Sequence, residues 1–190
     1  MRSPSQNPER GSSLIVVILV MAFMLAVGVA ILSITGIAPK VSGSVRDQEM
    51  AFDSAEAGFE AARIFIERAL LDGTWGNLQD NCMRTPHGID LPLDANYFRR
   101  QSDTTLVQTL TAGTTGLLYK DQPFLKTKSG HDDATQTFTV FIIDDEAGGG
   151  VADPTDVMLV CIGVVRSGNR ILATSRLEVL IGLANIGGNP

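Results

Sequence analysis

The sequence predicts an α+β chain: a long N-terminal helix, membrane-spanning and then amphipathic, packed on a small antiparallel sheet. Three observations carry this. Leu14 to Ala38 holds no charged residue. After Pro39, small or apolar residues return every three or four positions as far as Ala69. In the last third, "TQTFTVFIID", "VMLVCIGVVR" and "ILATSRLEVLI" read as strands separated by Gly- and Asp-rich turns.

The apolar run comes first. A lipid-spanning helix needs about 20 apolar residues, and Leu14–Ala38 supplies them. A cleaved secretory signal carries a shorter apolar region of about 7–15 residues and a small-x-small site after it. The nearest such site here, in "SITGIAPKVSGS", is a poor match. Arg2 and Arg10 precede the run, which places the N-terminus in the cytoplasm and the rest of the chain outside, although Lys40 and Arg46 follow on the far side. The segment before the run is short, polar and basic, and it ends in Gly11-Ser12-Ser13 directly against the apolar helix. A peptidase cutting on the cytoplasmic side would remove residues 1–11 and leave residues 12–38 on the mature protein.

The second half of the helix covers residues 39–72. Val41, Val45, Phe52, Ala55, Phe59, Ala62, Ile66 and Ala69 form a stripe with Gln48 as its polar member. Charges from Arg46 to Arg68 fill the other faces, with Glu60–Arg63 and Arg63–Glu67 at attractive spacing. Gly28, Gly36, Pro39 and Gly43 lie around the join, and Pro39, lacking an amide hydrogen, is expected to kink or loosen the helix. Gly73 is the expected stop.

Residues 73–190 form the expected extracytoplasmic domain. Up to residue 135 the chain reads as irregular, with short apolar pieces in "TTLVQTL" and "GLLY". Strands are expected near 136–143, 157–166 and 171–181, with room for a fourth, and Gly168-Asn169 as a hairpin turn. The tail from Gly182 is expected to fray.

The whole chain has 190 residues, 44% hydrophobic and 19% charged, with a formal net charge of -6. No basic run occurs, which argues against nucleic acid as a partner. Cys82 and Cys161 are too far apart in sequence for a CxxC zinc site. Outside the cytoplasm they have two options: one disulfide, worth about 4 kcal/mol in the chain-entropy model, or two separate thiols with Cys161 buried in a strand. Asp144, Asp145, Glu146, Asp153 and Asp156 crowd a Gly-rich loop. Such a loop suits Ca²⁺, though the spacing is not that of an EF-hand; the alternative is a solvated turn. His87 and His131 are the two histidines, and His131-Asp132-Asp133 reads as an exposed loop rather than an acid–base site. No G-x-S-x-G, HExxH or phosphate-loop motif occurs, so no enzymatic activity is expected and no cofactor besides calcium.

One family matches these local features. "ERGSSLIVVILVMAFMLAVGV" followed by "RDQEMAFDSAEAGFEAA" resembles the N-terminal region of the PilX-type minor pilins, with Ala51-Phe52 and Ala55-Glu56-Ala57-Gly58 in the family's helix motif. The resemblance spans residues 9–70. It implies cleavage by a prepilin peptidase between Gly11 and Ser12, and N-methylation of Ser12. It implies an assembly helix in which Val16, Phe23, Gly28 and Pro39 take part, a pilin-like fold, and partners among other minor pilins, the major pilin and the inner-membrane assembly platform. It implies a stay in the bacterial inner membrane before assembly, then a place in a surface filament serving adhesion and motility. It also raises the weight of calcium in the acidic loop. Two positions depart from the commoner pilin pattern. Val16 stands where major pilins carry a glutamate that pairs with a neighbour's N-terminal amine, and Ser12 replaces the usual phenylalanine. A subunit without that carboxylate fits a place at or near the filament tip, where nothing lies above it. The alternatives are a K-like pseudopilin of type II secretion, and a signal-anchored extracytoplasmic binding domain that does not polymerise.

Overall fold

A computed structural model of the chain describes residues 9–76, 78–126, 130, 132–144 and 156–182, with the side chains of 9–13 and 33–41 excepted. In order, the elements are α1 (Glu9–Leu71), two single 3₁₀ turns (Gln79–Asn81 and Phe98–Arg100), α2 (Asp103–Thr109), β1 (Leu117–Lys126), β2 (Asp132–Ile143), β3 (Asp156–Ser167) and β4 (Arg170–Gly182). The chain divides into two units, Met1–Gly43 and Ser44–Pro190.

The first unit contributes the apolar part of α1. Leu14–Leu32 is long and apolar enough to cross a membrane, and none of it is buried within the chain. The helix is assigned without interruption through Pro39, so the expected local loosening does not break it.

In the second unit, four strands form one antiparallel sheet in the order β1-β2-β3-β4. The α+β expectation holds: the α1 segment packs on one face of this sheet. β2 and β3 are the inner strands and are covered on both faces. Phe138, Val140, Ile142, Leu159 and Cys161 point to the α1 side. Phe141, Ile143, Met158, Val160, Ile162 and Val164 point to the other. That is why "VMLVCIGVV" is a continuous apolar run instead of an alternation. The threonines of β2 are covered as well: Thr137 and Thr139 are buried. Thr139 Oγ1 accepts a hydrogen bond from the Asp121 amide at 3.1 Å.

The stretch expected to be irregular is corrected. Residues 83–116 form a layer on the far face of the sheet, in which Met83, Ile89, Phe98, Leu106 and Val107 are buried. Ser102 caps α2 by accepting from the Thr105 amide at 3.1 Å. The layer is stitched to β2 by Met83 N to Ile142 O at 2.7 Å and Ile142 N to Gly116 O at 2.8 Å. "GLLY" then opens a full strand, β1, that alternation did not reveal. Its pairing with β2 shifts register three times, and Asp121 has a positive φ of 46°. The expected strands run slightly longer than read. The turn joining β3 to β4 is the expected Gly168-Asn169, with Gly168 at φ +59°.

The α1 stop is also as expected. Gly73 takes φ +65°, its amide bonds Leu70 O at 3.2 Å, and the Thr74 amide bonds Ala69 O at 3.0 Å. Those two bonds are the Schellman pattern, which satisfies carbonyls the helix would otherwise leave open.

Candidate functional site: the two faces of the long helix

The helix carries both features to which the sequence assigns a task. In Leu14–Leu32 every side chain is exposed. Val16 is 56% exposed and Phe23 67%. A methyl group added at Gly28 would touch nothing within 4 Å. A helix with apolar residues all round and no cover among the described residues is suited to lipid or to a bundle of other helices. Gly11 and Ser12 lie in the first turns of α1, where the backbone alone is described, and residues 1–8 of the expected leader lie outside the described residues. The side chain of Pro39 is likewise outside them.

The second half of α1 packs by a different rule. The residues that meet the sheet are Ala51, Ser54, Ala55, Gly58, Ala62, Ile66 and Ala69, all buried. The expected stripe holds at Ala55, Ala62, Ile66 and Ala69 and fails at Val45 and Phe52. Val45 is 52% exposed and Phe52 43%, beside the seam rather than in it. Small residues win the seam because the backbones approach closely. A Cβ on Gly58 would stand 2.9 Å from Val140 Cγ2 and 3.1 Å from Phe138 Cδ2. A Cβ on Gly163 of β3 would overlap Ala51 O and lie 2.6 Å from Ala55 N. The family-like motif thus separates by role. Ala51, Ala55 and Gly58 form the seam, Ala57 is half-buried, and Phe52 and Glu56 face outward. Ser54 is fully buried and donates to Met50 O at 2.9 Å, which satisfies its hydroxyl within the helix. Gly163 and Ser54 were not singled out from the sequence. A glycine inside a β-branched run is the signal that would have found Gly163, since it marks a place where another backbone comes close.

The remaining predicted site residues scatter. Cys82 and Cys161 are both buried free thiols in the cluster between α1 and the sheet. Burial pushes each thiol up to about 12. For Cys82 the nearby Asp144 adds to the shift, and its Sγ donates to Leu78 O at 3.6 Å. Such thiols are poor nucleophiles. Of the acidic loop, Asp144 follows β2 and Asp156 opens β3, while Asp145, Glu146 and Asp153 lie outside the described residues. Among the described residues, no group of three His, Cys, Asp or Glu side chains is placed to hold a metal ion. His131 is outside them too. Asp133 sits on β2 and accepts from the Thr135 amide at 2.9 Å, which lowers its carboxyl pKa. His87 is on an exposed turn. Trp75 is half-buried and packs edge-on against Phe65 at 5.6 Å.

A charged cluster not anticipated from sequence clamps the far layer to β4. Arg176 Nε donates to Asp103 Oδ1 at 2.6 Å, its Nη2 to Gln101 O at 2.9 Å and its Nη1 to Phe98 O at 3.2 Å. Arg99 Nε donates to Glu178 Oε2 at 2.8 Å, a bond that raises the Arg99 pKa. A second cluster joins Arg166 to Asp121 at 2.7 Å, with Lys120 Nζ reaching Asp121 and Val107 O.

No family model, curated protein or solved structure matches the chain.

Proposed function

We propose that this chain is a minor pilin. It primes assembly of a type IV pilus and occupies a place at or near the filament tip. The observation that carries the reading is the change of rule within α1: Leu14–Leu32 is uncovered on every side, and from Ala51 onward the same helix packs on an antiparallel sheet through small residues. An N-terminal helix of that kind serves first as an anchor and then as the element that docks laterally against other subunits' helices. Prepilin peptidase removes residues 1–11 in this account, and an assembly motor supplied by other proteins extracts the subunit. Val16 supports the tip position, because no carboxylate is offered there to a subunit above.

The test is deletion of the gene in its host, with complementation by the intact chain. The expected result is loss or strong reduction of surface pili, with tagged protein at filament ends. Intact piliation with impaired protein secretion would transfer the subunit to a type II secretion pseudopilus, where Val16 fits a K-like tip position equally well. Normal pili and normal secretion would leave a signal-anchored domain that does not polymerise.

A further inference from the structure

The sheet has two edges, and they are unequal. β1 is irregular: three register shifts, a positive φ at Asp121, Pro123 within the strand and lysines at 120 and 126. Those are the devices by which natural sheets discourage a further strand. β4 has one register shift, between Ile171 and Ala173 at its start, and no proline or positive φ. From Val165↔Ala173 to Asp156↔Gly182 its pairing with β3 runs without a shift. Among the described residues, no backbone hydrogen bond reaches β4 from outside the sheet, and one of its carbonyls, Thr174 O, accepts from the Gln48 side chain at 2.9 Å, which leaves the edge from Ser175 onward for a partner. A strand bonded on one side presents alternate N–H and C=O groups on the other.

Beside β4, on the α1 side, lie two hollows. The first is bordered by Val45, Glu49, Phe52, Asp53 and Ser175. The second is bordered by Phe59, Ile66, Leu70, Val179 and Ile181. Ser175 and Val179 are separated by about 13 Å along a strand rising about 3.3 Å per residue. Added side chains four positions apart on one face of a strand have that spacing. Glu49 and Asp53 form no ion pair or hydrogen bond with any described residue, so the first hollow carries uncompensated negative charge. The second is closed by Arg63, already held by Glu60 at 3.1 Å and Glu67 at 2.9 Å.

We propose that the β4 edge receives an extended segment of another protein as an added strand. That segment bears two apolar side chains four positions apart and, on the same face, a lysine or arginine two positions before the first. Main-chain bonds to β4 supply the pairing, the hollows select the side chains, and Glu49 and Asp53 select the cation. A second copy of this chain is a poorer occupant: it is itself acidic at -6, and the Arg63 of its own groove is engaged. This proposal is independent of the pilin reading, since it needs only the second unit's own edge.

The test uses the full chain in detergent and the probe peptide TKTVTVTVT, acetylated and amidated. Two further versions are N-methylated, each on one of the two alternate sets of backbone amides. The expected result is saturable binding at low salt, with slowed hydrogen exchange in β4 and none in β1. One methylated version should bind as the parent does and the other should fail, because one set of amides faces β4. Glu49→Gln with Asp53→Asn should weaken binding about tenfold without changing which methylated version fails. No binding up to about 1 mM, equal behaviour of the two methylated versions, or protection in β1 instead would overturn the proposal.

Discussion

Residues 14–32 and 51–69 belong to one helix, yet they bury themselves by opposite rules. In the first stretch, large apolar side chains cover the whole surface and stay exposed among the described residues. In the second, the buried positions are mostly alanine, serine and glycine, while Phe52, Ile64 and Phe65 stand half-exposed at the sides. The difference teaches that apolarity and burial are separate quantities here. Lipid or a helix bundle rewards total apolar surface, and a sheet met at close range rewards the absence of bulk. A glycine therefore means different things in the two stretches: Gly28 faces open space, and Gly58 is pressed on β2.

Substitutions at the glycines break this comparison most sharply. Gly163→Val should destabilise the second unit by about 3 kcal/mol or more, because the added atoms meet the Ala51 and Ala55 backbone and no side chain can yield. Denaturant unfolding followed by near-ultraviolet circular dichroism measures it. The same change at Gly28 should leave that transition within about 0.5 kcal/mol of the parent. Gly58→Leu comes next, at about 1–3 kcal/mol, since Val140 and Phe138 present movable side-chain ends. Asp103→Ala should cost about 1–3 kcal/mol by leaving Arg176 with its carbonyl partners but no counter-charge, and should loosen hydrogen exchange in α2 before β2. Phe52→Ser should have the smallest effect, within about 0.5 kcal/mol, although a reading from hydrophobicity alone would place it in the core.

The thiols sharpen the comparison by pH. Both folded-state values are raised to about 12 from an ordinary 9, so the unfolded chain loses protons that the folded chain keeps. Their contribution is fully present below about pH 9 and is lost as pH rises towards 12. Stability should therefore fall across that window, and Cys82→Ala with Cys161→Ala should flatten the decline. At pH 8 an alkylating reagent should label the native chain slowly and the denatured chain fast.

Much of this arrangement is legible in the residues. The charge-free run marks the first half of α1, Gly73 marks its end, and Gly168-Asn169 marks the last hairpin. β1 escapes because Asp121, Pro123 and the register shifts destroy its period of two. The burial of Thr137 and Thr139 is not legible in the alternation of β2, because both faces of this inner strand are covered. The stripe read from spacing reaches Ala55, Ala62, Ile66 and Ala69 but includes the exposed Phe52 and leaves out Ala51, Ser54 and Gly58, because the close approach of the backbones selects small side chains over apolar ones. The clamp around Arg176 joins residues more than seventy positions apart, a pairing no local pattern encodes. Gly163 is the exception that a closer physical reading reaches from sequence, as a glycine set in an inner strand.

The central claim is that the uncovered half of α1 stays on the mature protein as an assembly helix and that only the leader is removed. The most direct measurement is the intact mass and N-terminal sequence of the protein from its host, with and without prepilin peptidase. The account predicts a chain that begins at methylated Ser12 and depends on that peptidase. A chain that keeps residues 1–11, or one cut near Gly43 so that the apolar helix is gone, would contradict it.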